Sequence, residues 1–170
     1  LNTHFLQSEA EHYAAIRPKA RISSTVDGPI DAFRKEGIAY LEVRAIDVDP
    51  FQSTGVDADQ LAFIHMLLIY CFLTPSPSLE KDEEKKLNES QNLIANEGRR
   101  ADCEVYFRGE YISMRRFSRD VLKDLTLIAA LLDRGSKKKR YAYILEQQYE
   151  KIMDSSLTPS AKIIKKIMGG

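Results

Sequence analysis

Tyr40, Glu42 and Arg44 stand two residues apart in the segment 38–47, Ile-Ala-Tyr-Leu-Glu-Val-Arg-Ala-Ile-Asp. Strand side chains repeat every two residues, so these three share one face while Leu41, Val43 and Ala45 share the other. A carboxylate and a guanidinium are thereby held side by side on a stiff element. Glu offers hard oxygen to a metal ion and Arg offers a planar fork of donors to an anion. The competing reading is a solvated strand face carrying one salt bridge.

A second alternating segment precedes it. In 13–22, Tyr-Ala-Ala-Ile-Arg-Pro-Lys-Ala-Arg-Ile, one face carries Tyr13, Arg17, Lys19 and Arg21, and the other Ala14, Ile16, Ala20 and Ile22. Pro18 removes a ladder donor, which places this strand at an edge or beside a bulge. Its cations either attract an anion or stay in water.

The elements that must position these faces follow from pattern and punctuation. Residues 23–28 read as a turn and 29–35 as a short helix with Pro29 in its first turn and Gly37 as its stop. Residues 47–54 form a loop around Asp49-Pro50. The run 56–73 reads as an apolar helix with Asp57 and Asp59 in its first turn. Its Leu61–Leu73 stretch has 13 residues, too few to span a bilayer. It is expected to be a buried helix, with Cys71 a buried free thiol and His65 a core residue rather than a ligand. Thr74-Pro-Ser-Pro-Ser78 breaks the chain. Residues 79–97 form a charged helix ended by Gly98, with its 80–86 run facing water. Residues 103–107 and 111–114 could pair as a hairpin around Arg108-Gly109. Helical spacing returns at 117–133, through Val121, Leu122, Leu125, Ile128, Ala129 and Leu132. It returns again at 141–153, opened by the basic run Lys137–Arg140. Thr158-Pro159 caps a last short helix.

The whole is α+β. Strands and a short helix occupy residues 1–55, and a predominantly helical carboxy-terminal region, 56–170, packs on a few antiparallel strands. Lys plus Arg equals Asp plus Glu at 25 each, so no basic excess points to nucleic acid. Two cysteines and no CxxC or Cys/His spacing argue against a disulfide scaffold or a zinc site and fit a reducing cytoplasm. No signal peptide and no membrane segment are visible. Leu1 in place of Met, with strand pattern close behind it, leads us to expect a piece of a larger polypeptide.

The ordered set Tyr13-x3-Arg17-Pro-Lys, Gly37-Ile-x-Tyr-x-Glu-Val-Arg44-x-Ile-Asp47, Asp49-Pro-Phe and Gly55-Val-Asp57 resembles the carboxy-terminal half of the proteobacterial-type glutamate–cysteine ligases. Glu97-Gly-Arg, Lys123-Asp-Leu and Ser160-Ala-x-Ile-x-x-x-Met168 look like later landmarks of that family, and residues 74–115 are least similar to it. The resemblance implies a share of a glutamine-synthetase-like antiparallel sheet, with L-glutamate, L-cysteine and ATP as substrates and Mg²⁺ as cofactor. It implies that the glutamate γ-carboxyl is joined to the cysteine amine through a γ-glutamyl phosphate, the first step of glutathione synthesis. By the same resemblance Glu42 binds Mg²⁺, Arg44 is catalytic and contacts the nucleotide, and Tyr13 binds the cysteine carboxylate. Arg17 gains no definite role, and Tyr40 is read as a packing residue. The remaining metal ligands would lie in the rest of the polypeptide, so the segment alone is expected to be inactive.

Two alternatives stay open. The chain could be the ligase region of a bifunctional glutathione synthase. It could instead be a non-enzymatic helical interaction module that uses the basic corner at Lys137–Arg140.

Overall fold

The computed structural model describes residues 15–20 and 29–169, and the fold within them is α+β. The chain divides into two compact units, 1–48 and 49–170.

In the first unit, β1 (Ile16–Lys19) and β2 (Tyr40–Val43) pair antiparallel, with α1 (Pro29–Glu36) between them in sequence. The register sets Ile16 opposite Val43, Arg17 opposite Glu42, Pro18 opposite Leu41 and Lys19 opposite Tyr40. Gly37 ends α1 at φ +73, a left-handed conformation that a Cβ would penalise, while its N–H closes on Phe33 O at 2.9 Å. The two strands are shorter than the alternation predicts. One further backbone bond, Arg44 N–H to Ala15 O at 2.8 Å, holds Arg44 just beyond the ladder.

The second unit contains α2 (Ala58–Leu73), α3 (Lys81–Glu97), a hairpin of β3 (Glu104–Phe107) and β4 (Glu110–Ser113), then α4 (Met114–Leu132), α5 (Arg140–Met153) and α6 (Pro159–Met168). A 3₁₀ turn, Ser155–Leu157, precedes α6. Local signals open most of these elements. The Asp57 carboxylate accepts Gln60 N–H at 2.6 Å, Glu80 and Glu83 form a capping box, Ser113 caps α4, and Thr158 with Pro159 opens α6. The hairpin turns through Arg108 and Gly109, both at positive φ (+50 and +91), the backbone of a type I′ turn.

The main core joins α2, α4 and α5, where Met66, Leu125 and Ile144 are almost completely buried beside Ala62, Leu122, Ile128, Ala129 and Leu145. A smaller core of Cys103, Val105 and Ile112 sits under the hairpin, flanked by Leu93, Ile94 and Phe117. Buried Ser90 ties α3 to that hairpin by accepting Tyr106 N–H at 2.8 Å and donating to Lys86 O at 2.8 Å.

Two expectations for α2 need correction. The helix is apolar around its whole circumference but is buried only at Ala62 and Met66, one turn apart on a single stripe. Cys71 falls off that stripe and is exposed. His65 is exposed too, with its Nδ1 3.5 Å from Tyr141 Oη. The 80–86 run also does more than face water, because Lys86 pairs with Asp82 at 2.5 Å and lies 5.2 Å over the Tyr106 ring.

Candidate functional site

Antiparallel pairing puts directly opposed residues on the same side of the ribbon. The register of β1 and β2 therefore gathers Arg17, Lys19, Tyr40 and Glu42 on one face, and Arg44 reaches back to it from the end of β2. Two of that face's cations, Arg44 and Lys19, hold the single carboxylate, and Arg17 stands opposite it in the register. Glu42 receives Arg44 Nε at 3.0 Å on Oε1 and Arg44 Nη2 at 3.3 Å on Oε2, and Lys19 Nζ lies 3.3 Å from Oε2. The Glu42 side chain is 37% exposed and those of Arg44 and Lys19 are each 30% exposed, so the cluster is open to a ligand from water.

The electrostatics follow from that packing. The Arg44 hydrogen bonds, aided by Lys19 and opposed by some desolvation, hold the Glu42 carboxyl below its ordinary range. Glu42 thus presents ionised oxygens at neutral pH. Arg17, Lys19 and Arg44 together exceed its single charge, which makes the face attractive to a phosphate or carboxylate.

The structure brings Glu42 and Arg44 together in direct contact, as their spacing on one strand face predicts. It adds Lys19, which the sequence places on the same face but whose grip on Glu42 becomes visible only through the register. Tyr13 and Arg21, the other functional or cationic positions of the first strand, lie outside the described residues. As a metal ligand Glu42 is chemically suitable, because Mg²⁺ is commonly held by one or two carboxylates together with phosphate oxygens and water. Among the described residues no group of three or more His, Cys, Asp or Glu assembles around a common point. Glu42 would therefore be one ligand of a larger set.

Two of the four cations of the basic corner at Lys137–Arg140 are engaged internally. Arg140 donates from Nε and Nη2 to Asp59 Oδ1 at 3.0 and 2.8 Å, and Lys139 Nζ donates to Asp133 O at 3.2 Å. Asp133 itself is 2% exposed, and its two carboxylate oxygens accept the N–H groups of Tyr141 (3.1 Å) and Ala142 (2.9 Å) at the start of α5. It closes α4 and opens α5. Sequence reasoning missed this role because the acceptor lies seven residues before the helix it caps. Among the described residues no helix is long and apolar enough to cross a membrane.

Comparison with known proteins gives this geometry a context. The sequence profile of a family described as glutamate-cysteine ligase matches residues 1–94. A glutamate–cysteine ligase of Pseudomonas fluorescens is 37% identical over 164 residues, covering 96% of this chain and 31% of the relative. That of Alcanivorax borkumensis is 34% identical over 167 residues, covering 98% of this chain and 32% of its own length. A crystal structure of glutamate–cysteine ligase from Francisella tularensis in complex with AMP superposes with a TM-score of 0.81 at 31% identity, over 96% of this chain and 32% of that one. The chain thus spans about a third of the length of the relatives it matches.

Proposed function

This chain belongs to the glutamate–cysteine ligase family, and from that premise we propose that it supplies part of the active site of an ATP-dependent ligase joining the γ-carboxyl of glutamate to the amine of cysteine. A carboxylate lacks a good leaving group at neutral pH, and phosphorylation by ATP supplies one. The cysteine nitrogen then displaces phosphate from the γ-glutamyl phosphate. Such transfers depend on positioning and on neutralising charge as it moves, rather than on a covalent protein intermediate.

The observation that carries this reading is Glu42 held between Arg44 and Lys19 on a strand face with excess positive charge. Arg44 offsets negative charge on the phosphoryl group in transfer. Its present partner is the exposed Glu42, so it can turn to a phosphate without leaving a buried carboxylate behind. Glu42 would hold Mg²⁺, which when bound neutralises ATP phosphate oxygens. Tyr13 contacts the carboxylate of cysteine, and residues 1–55 form part of the catalytic sheet. The nucleotide in the Francisella tularensis relative supports nucleotide use. The remaining ligands belong to the rest of the polypeptide, so residues 1–170 alone are inactive. Both described thiols are free, which accords with a cytoplasmic setting.

The deciding experiment is glutamate- and cysteine-dependent ADP release by the full-length protein. Glu42→Gln is expected to raise the Mg²⁺ concentration needed for half-maximal rate. An unchanged Mg²⁺ dependence removes Glu42 from the metal site.

A further inference from the structure

A cavity of about 470 Å³ opens in the second unit, within the size range of pockets that take small organic ligands. All of its lining residues belong to residues 49–170. It lies where the two cores meet. Phe63, Val121 and Ile152 come from the margin of the α2–α4–α5 core, and Met114 and Phe117 from the margin of the hairpin core. Apolar surface dominates its wall.

The charged part of that wall has one sign. Arg99 and Arg100 reach it from the connection between α3 and β3, Arg115 from the first turn of α4, and Lys151 from the last turn of α5. No carboxylate lines it. Arg100 is already neutralised, by a fork onto Asp102 (2.9 and 2.6 Å) and by Glu97, and these acids raise its pKa further. Arg99 and Arg115 have no such acid: neither side chain makes a hydrogen bond or ion pair to another described residue. Lys151 makes only a 3.4 Å bond to Gln148. The chain as a whole is neutral, so three uncompensated cations around one cavity are a local departure from its composition. The first turn of α4 contains no acidic residue, and its macrodipole adds further positive potential at the same place.

From this juxtaposition of an apolar floor with an uncompensated cationic rim, we propose that the cavity binds an organic phosphate: a dianionic group on Arg99, Arg115 and Lys151, attached to a flat apolar body seated against Phe117 and Val121. Two arginine forks and an ammonium suit a dianion better than a single carboxylate. Ser118 and Ser155 supply hydroxyls at the same wall.

The test is calorimetric titration of the full-length protein with three probes: 1-naphthyl phosphate, inorganic phosphate and 1-naphthol. We expect 1-naphthyl phosphate to bind at least tenfold more tightly than either part alone. Arg115→Glu with Lys151→Glu should weaken it at least tenfold, and exposed Arg99→Glu severalfold by itself, with circular dichroism confirming the fold in each. Equal affinity for inorganic phosphate overturns the role of the apolar floor. Affinity that survives both sets of charge reversals overturns the site.

Discussion

In the first unit no described residue is buried, and the ordered side-chain contacts of its ribbon run between charges. In the second, Met66 and Leu125 are wholly inaccessible and Ile144 is 1% exposed. The difference separates two tasks. A two-stranded ribbon gains little stability of its own, and here its apolar side leaves Ile16 and Leu41 each 46% exposed. Its charges are about a third exposed, so they can exchange one partner for another without the full penalty that buried ions incur. The helical core does the reverse, giving cohesion through close packing and offering no reacting group. Substitutions in the two units should therefore divide cleanly between activity and stability.

The largest effect tests the chemical half of that division. Arg44→Ala should lower the turnover of the full-length enzyme by roughly 10²–10³, the usual loss when one charge-stabilising donor is removed from a transition state. Its melting temperature should not move, since Arg44 contributes to no core. Steady-state ADP release and differential scanning calorimetry on one preparation check both. Unchanged turnover breaks the assignment of Arg44, and a large fall in melting temperature breaks the division itself.

The next effect tests the other half. Leu125→Ala should cost about 3 kcal/mol, because it removes a fully buried side chain from the core it shares with Met66 and Ile144. Turnover well below the melting transition should stay close to wild type. Asp133→Ala should cost roughly 2 kcal/mol by leaving the first N–H groups of α5 without their acceptor. Asp133→Asn should cost less, since one carbonyl oxygen remains. Urea unfolding measures all three, and an Asp133→Ala protein as stable as wild type would show that water replaces the cap.

Much of this arrangement was legible in the residues themselves. Period-two alternation put Glu42 and Arg44 on one face, and Arg108-Gly109 marked a turn because positive φ is cheap for glycine and tolerable beside it. The Thr158 cap follows from a side chain that accepts an N–H bond locally, whereas Asp57, expected inside the first turn of α2, and Ser113, expected within a strand, are the N-caps of α2 and α4. What periodicity misjudged was α2. Thirteen apolar residues in a row announce burial without saying from which side, and the exposure of Cys71 and His65 depends on α4 and α5 covering one stripe only. Lys19 on Glu42, Ser90 on Tyr106 and Asp133 on α5 are pairings between separate elements or across a loop. Such pairings become readable only once register and packing are fixed.

The smallest effect concerns the site's own electrostatics and sharpens the comparison most. Glu42 is ionised more readily in the folded protein than its ordinary value of 4.5 implies, chiefly because Arg44 hydrogen-bonds to it and secondarily because of Lys19. A depressed folded pKa means that the unfolded chain holds the proton more tightly. The pair's contribution is therefore complete above about pH 4.5 and is lost as the pH falls through the lowered folded value. The group is solvent-exposed, so the change belongs to a site titration rather than a melting curve. Carbon-13 NMR of the Glu42 carboxyl should show a midpoint below that of an exposed glutamate. Arg44→Ala should return it upward, and Lys19→Ala should shift it in the same direction by less. If Lys19→Ala has the larger effect, Lys19 is the principal partner and Arg44 is already turned toward its ligand. If neither substitution moves the midpoint, the ribbon's charges are independent and Glu42 is not held in place for a metal.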